Sequence, residues 1–324
     1  AKTAGTTSIA SVNPTAQSKP AAKQAIDEAL KAKEAAIDSR TDLTDEEKAV
    51  ARADAKAKAD EAKKNIDNAT TDEAVSQAKT AGTTSIASVN PTAQSKPAAK
   101  QAIDDALKTK EASIDSRTDL TDEEKTAAKA DAKAKADTAK QAIDTATTTA
   151  EVDQAKSTGT TEVNGVNPTA QSKPAAKQAI DDALKTKEAS IDSRTDLTDE
   201  EKTAAKADAK AKADTAKQAI DTATTTAEVD QAKSTGTTEV NGVNPTAQSK
   251  PAAKQAIDDA LKTKESAIDS RTDLTDEEKA AAKADAKAKA DEAKKNIDAA
   301  TTDEAVSQAK TAGTTEVNGV NPAA

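Results

Sequence analysis

Clustered carboxylates are the residues in this chain best suited to binding a metal or moving a proton. The densest cluster is Asp119, Asp122, Glu123 and Glu124, which carries the oxygen ligands that calcium prefers. It lacks the alternating ligands and the glycine of an EF-hand loop. Acidic residues are also expected at a helix start, where the helix dipole is positive, and the cluster is read as capping. Neighbouring acids such as Asp104 and Asp105 invite general acid–base work. Adjacent helical positions point about 100° apart, and the chain has no histidine, cysteine or tyrosine to assist. They are read as a solvated face. A glycosylation triplet, Asn68-Ala69-Thr70, has Ala299-Ala300-Thr301 in its place later in the chain, and the Asn-Pro-Thr triplets are excluded by their proline. No catalytic, cofactor-binding or metal-ligating residue is assigned, no cofactor is expected, and the chain is expected not to be an enzyme.

These residues belong to elements that recur. Pro20, Pro97, Pro174 and Pro251 stand 77 residues apart, and 94–170 is identical to 171–247. The period divides the 324 residues into repeats at 17–93, 94–170, 171–247 and 248–324, with 1–16 matching the tail of a preceding copy. The chain is therefore expected to be a fragment of a longer array, and the near-identity of its copies suggests recent duplication.

One period, 94–170, gives the local plan. Ser95-Lys96-Pro97 opens a first helix, with proline near the first turn, where its missing N–H costs nothing. Ile103, Ala106, Leu107 and Ile114 follow at helical spacing, with the stem of Lys110 along the same face. Asp104 and Lys108 are expected to pair across one turn, and the helix is expected to end near Arg117. Thr121 with Glu124 forms a capping box, and Leu120 tucks the turn into the core. The second helix places Ala128, Ala132, Ala136, Ala139, Ile143 and Ala146 on one narrow stripe. The Ala-Lys-Ala-Asp alternation there imitates a strand, but its residues are poor strand formers and alanine is the best helix former. Lys133 and Asp137 pair on its outer side. Thr148 with Glu151 caps a third helix, whose seam runs Val152, Ala155, Gly159, Val163 and Val166. Gly159 is read as a close-packing site inside this helix, the competing reading making it a C-cap. Asn167-Pro168 stops the helix, and the connector NPTAQSKP is expected to be short and semi-extended. Three helices with one apolar stripe each predict an antiparallel three-helix bundle. The fold class is all-α, a tandem array of four such bundles forming an elongated rod.

Composition limits what such an array binds. Aromatic content is zero and the charge of −10 is spread evenly, so phosphate neutralisation and base stacking both lack their residues, and no nucleic acid is expected. No apolar run approaches the length of a membrane span, and the polar faces mix lysine with aspartate rather than concentrating positive charge. The apolar residues larger than alanine are all assigned to the core, which leaves no aromatic or large apolar hot spot for a partner. A monomer whose repeats touch their neighbours in the chain is expected.

The pattern AAKQAIDDALKTKEASIDS, RTDLTDEEKTAAKADAKAKAD, AKQAIDTATTTAEVDQAKSTGTTEVNGV resembles the DUF1542 repeats of large Gram-positive surface proteins, including matrix-binding adhesins. The L-T-D-E-E-K turn, the alanine run and the V-D-Q-A-K-x-x-G segment carry the likeness in all four repeats. The resemblance implies an extracellular location, wall attachment through segments elsewhere in the parent chain, and a structural stalk that projects an adhesive domain. It supplies no functional residues to transfer. The alternative is a weak multivalent adhesin whose helix faces bind matrix or serum proteins.

Overall fold

The computed structural model describes residues 18–323; the opening segment 1–16, expected as the tail of a preceding repeat, lies outside the described residues. Twelve helices and no strand are present among them. They run α1 Ser18–Asp38, α2 Asp45–Asn68, α3 Asp72–Ala87, α4 Ser95–Asp115, α5 Asp122–Thr145, α6 Thr149–Asn164, α7 Ser172–Asp192, α8 Asp199–Thr222, α9 Thr226–Asn241, α10 Ser249–Asp269, α11 Asp276–Ala299 and α12 Asp303–Asn318. Three consecutive helices joined by short turns pack on one another in each repeat, which makes four tandem three-helix bundles. Two compact units divide the chain. The first extends to Arg117 and includes Lys125–Pro168; the second comprises Thr118–Glu124 and the residues from Thr169 onward.

The core of each bundle is narrow because its middle helix offers mainly alanine. Along α5, Ala128, Ala132, Ala136, Ala139 and Ile143 are buried in one stripe. Ala136, Ala139 and Ile143 of this stripe meet Ala99 and Ile103 of α4 and Val152 and Val163 of α6. Gly159 lies inside α6 and is buried. A Cβ there would stand 2.3 Å from Ala139 Cβ and 2.8 Å from Ile103 Cδ1. Glycine is required by this close approach of three helices, and the reading of Gly159 inside a continuing helix holds.

Several local expectations need correction. The third helix ends at Asn164, not at Asn167-Pro168, and Gly165 caps it in the ordinary right-handed region by donating to Thr161 O and Val163 O. A residue before proline resists helical geometry, so the chain unwinds ahead of Asn167. Val166 is buried from this unwound stretch rather than from the helix. Ser95, Lys96 and Pro97 do open α4, as expected, so the extended part of the connector ends at Gln94. Asp104 pairs with Lys140 of α5 at 2.7 Å rather than within its own helix on Lys108. The stem of Lys140 is only partly exposed, and it delivers the ammonium across the α4–α5 groove. Lys133 does pair with Asp137, at 2.5 Å. Finally, one large apolar residue is left over: Val50 of α2 is 72% exposed, where the later repeats carry Ala127, Ala204 and Ala281.

Candidate functional site: the joint between repeats

The acidic turn between the first and second helices of a repeat does more than cap its own helix. In the first unit, Glu47 closes the capping box with Thr44: Glu47 N donates to Thr44 Oγ1, and Thr44 N donates to Glu47 Oε2 at 3.0 Å. That leaves Oε1 free to turn outward. It accepts from Gln94 N at 3.1 Å, Ser95 N at 3.0 Å and Ser95 Oγ at 3.0 Å, all belonging to the start of α4 in the next repeat. Glu46 beside it accepts from Thr149 N at 2.9 Å and Thr149 Oγ1 at 3.0 Å, at the start of α6. Asp45 N donates to Thr147 O at 2.8 Å.

These bonds answer a need set by the helix ends. The first N–H groups of a helix have no partner within it. The N-cap position of α4 is Gln94, which makes no side-chain cap, and Glu47 of the preceding repeat supplies the acceptor instead. In α6, Thr148 caps Glu151 N, and Glu151 answers Thr148 N and Thr147 N. A further first-turn donor, Thr149 N, is served by Glu46.

A buried lysine ties the same joint from the opposite sign. Lys96 is 4% exposed and donates from Nζ to Thr41 O of the preceding turn at 2.9 Å and to Asp144 O, near the end of α5, at 2.7 Å. A cation at a helix C-terminus is favourable, and no buried side-chain nitrogen or oxygen among the described residues lacks a partner.

The second unit repeats this chemistry. Glu124 Oε1 accepts from Gln171 N and from Ser172 N and Oγ, Glu123 Oε2 accepts from Thr226 N and Oγ1, and Lys173 donates to Thr118 O and Asp221 O. At the last joint an aspartate, Asp303, takes the place of Thr149 and Thr226, and the network shifts. Asp303 N still donates to Glu200 Oε2 at 2.9 Å, while Asp303 Oδ1 draws in Ser249 Oγ at 2.7 Å and Thr198 Oγ1 at 2.8 Å. The backbone bonds from Gln248 N and Ser249 N to Glu201 remain.

Electrostatics follow from these partners. Burial works against the charge on Glu47. The N–H groups of Ser95, Thr44 and Gln94 outweigh it and hold the carboxyl below its ordinary value. Glu46 is lowered chiefly by the N–H of Thr149, and Asp303 by the hydroxyls of Ser249 and Thr198. In the same turns Arg194 and Arg271 hold Asp196 and Asp273 down to about 2.

Within the acidic cluster read as a helix cap, Glu124 closes the capping box with Thr121, and Glu123 and Glu124 accept from N–H and O–H donors at further helix starts. Asp104 and Asp105 are not brought together on any partner of this kind; Asp104 meets Lys140, and Asp105 accepts from Gln101 Nε2. Sequence reasoning missed the outward use of Glu123 and Glu124 and the burial of the lysine in Ser-Lys-Pro. The available signal was Gln94, a helix start without a local cap.

The fold and its joint define a tandem-repeat helical array. The description Domain of Unknown Function (DUF1542) matches residues 18–94, 95–171, 172–248 and 249–324, and the chain belongs to this family. It is similar to the extracellular matrix-binding protein EbhA of Staphylococcus aureus strain Mu3, at 30% identity over 289 residues, which is 89% of this chain and 4% of the relative. The extracellular matrix-binding protein ebh of strain JH9 is equally similar and is covered over 3% of its length. The chain thus spans a small part of these relatives, whose names are not those of enzymes. No solved structure matches it. No helix among the described residues is long and apolar enough to cross a membrane.

Proposed function

We propose that this chain is a non-enzymatic spacer in a Gram-positive surface protein, holding an adhesive domain away from the cell wall to which other segments attach it. The observation that supports this reading is the joint. Each repeat commits its least exposed polar groups, Lys96 and Thr44 among them, to the adjoining repeat in the same chain. A module evolved to engage an outside partner would keep such groups, or large apolar ones, for that partner. The outer faces instead carry lysine–aspartate pairs such as Lys133–Asp137 and Lys210–Asp214, which contribute little in water.

Small-angle scattering on arrays of two, three and four repeats tests the spacer. Helices of 24 residues are about 36 Å long at 1.5 Å rise per residue. The maximum dimension should grow almost linearly with repeat number, to about 150–200 Å for four. Growth like that of a compact globule would end the proposal.

A second reading is favoured by the relatives' names, which describe matrix binding. In it the repeats are weak adhesins that act through multivalency. Binding of the whole chain to immobilised matrix proteins, with avidity rising as repeats are added, would select this reading over a passive spacer.

A further inference from the structure

The geometry points to the acidic turn as an acid-releasable latch: at neutral pH Glu46 and Glu47, like Glu200 with Glu201, fasten their repeat to the next, and protonating them frees the joint while the bundles stay folded. The inference stands whether the array spaces or binds.

The latch depends on these groups being carboxylates. Glu47 faces donors only: Thr44 N on one oxygen, and Gln94 N, Ser95 N and Ser95 Oγ on the other. Glu46 likewise faces Thr149 N and Oγ1. An ionised carboxylate accepts on both oxygens, whereas the protonated acid turns one of them into a donor. A proton on Glu47 therefore sets donor against donor either at its own cap or at the start of α4.

Charged groups surround the site from every packed element. The turn brings Asp42, paired with Arg40, and Asp45; α2 brings Lys48, whose ammonium is directed to Asp38 O. From α4 comes Lys96, close enough to act on Asp42. From α5 comes Asp144, paired with Lys100. From α6 comes Glu151, and in the next copy of this arrangement Glu228 and Glu123 repel one another. Carboxylates outnumber cations here, so the N–H and hydroxyl donors keep the latch charged. The bundles are held chiefly by apolar packing. Their cores are alanine, isoleucine, leucine and valine, and their other acids lie on exposed faces.

The direction follows from linkage. Glu46 and Glu47 are held below their ordinary value in the folded chain. Their contribution is complete above the ordinary glutamate pKa of about 4.3 and is lost as pH falls through the lowered folded value.

The chain has no cysteine, so paired spin labels can be placed freely on the full chain. Labels at Ala57→Cys and Ala134→Cys, both exposed, report across the first joint; labels at Ala57→Cys and Thr80→Cys report within one bundle. The expected result is a narrow cross-joint distance at pH 7. It should be lost as the pH is titrated down below the ordinary glutamate range, and lost already at pH 7 in the E46Q/E47Q variant, whose carboxamides also present donors to donors. The within-bundle distance should stay narrow throughout. E278Q, in the turn of the fourth repeat and remote from the first joint, should leave the cross-joint distance unchanged. A narrow cross-joint distance in E46Q/E47Q, or a variant that still responds to acid as the parent does, would overturn the latch. Broadening of the within-bundle distance alongside the joint, by acid or by substitution, would overturn it too, because the carboxylates would then be holding the bundle.

Discussion

The turns Thr195–Glu201 and Thr272–Glu278 have the same sequence, flanked by the same arginine and lysine, yet they have different surroundings. The first is seated on the fourth repeat. Thr198 is fully buried, its hydroxyl donates to Asp303, and Glu201 accepts from Gln248 N and Ser249 N. The second has no repeat after it in this sequence. Thr275 is exposed, and Glu278 accepts from its own Thr275 N and Oγ1. Despite this, both turns close the capping box, both fork an arginine onto an aspartate, and both bury their leucine. The turn is therefore built by its own residues, and the joint is laid onto a shape that already exists. In a repeat array this separates the intrinsic stability of a repeat from the coupling between neighbours.

Removing the shared, local part should give the largest effect and the smallest difference. Leu197 and Leu274 are 2% and 7% exposed in the cores of their own bundles. Leu197→Ala and Leu274→Ala should each cost about 2–4 kcal/mol from lost burial and the cavity left behind. Urea denaturation of the full chain, fitted with nearest-neighbour coupling, reads both. If Leu274→Ala proved much milder, the leucine would owe its value to the next repeat and the comparison would fail. The threonines should differ. Thr198→Val removes both a helix cap and the bond to Asp303, at about 1–2 kcal/mol. Thr275→Val removes only exposed bonds within its own turn, at about 0.5–1 kcal/mol. The Thr198 variant should also weaken the fitted coupling between the third and fourth repeats, which Thr275→Val cannot touch. Equal costs with unchanged coupling would mean that the Thr198–Asp303 contact adds nothing.

What was legible in the sequence divides along the same line. The alanine stripe from Ala128 to Ile143, the capping boxes at Thr121 and Thr148, and Gly159 within its helix are all set by neighbours a few residues away, where periodicity and propensity operate. Such patterns read correctly even though the alanine–lysine alternation resembles a strand. The joint was not legible because its partners are remote. Glu47 meets residues 47 and 48 positions away, Lys96 reaches back 55, and Glu46 reaches forward 103. No period in the sequence marks those distances, and a lysine beside a proline at a helix start carries no sign that it is buried. Val166 was assigned to the core but to the wrong element, since burial follows from its apolar character while the helix end is decided by Pro168. Asp104 failed for a related reason: a partner one turn away is visible in the sequence, whereas Lys140 is brought close only by packing.

The smallest effect expected also tests whether the turn is local, because each aspartate is governed first by its own arginine and only Asp196 feels a cation of the next repeat, Lys250. Arg194 forks onto Asp196 at 2.6 and 2.5 Å, and Arg271 onto Asp273 at the same distances. Each aspartate is lowered to about 2, first by the hydrogen bond from its arginine. One turn is seated and the other is not, so identical titration of the two aspartates requires that the joint leave the pair undisturbed. Nuclear magnetic resonance titration of the full chain should place Asp196 and Asp273 together near 2, and Arg194→Ala and Arg271→Ala should each return their aspartate toward the ordinary range. A carboxyl held low favours the folded chain above its ordinary pKa and loses that contribution as pH falls through the lowered value. These pairs are exposed to water, however, so solvent screening should leave the melting temperature of either arginine variant nearly unchanged. Different pKa values for the two aspartates would show that seating a repeat reshapes the turn beneath it, and the joint would then have to be treated as part of the turn's fold.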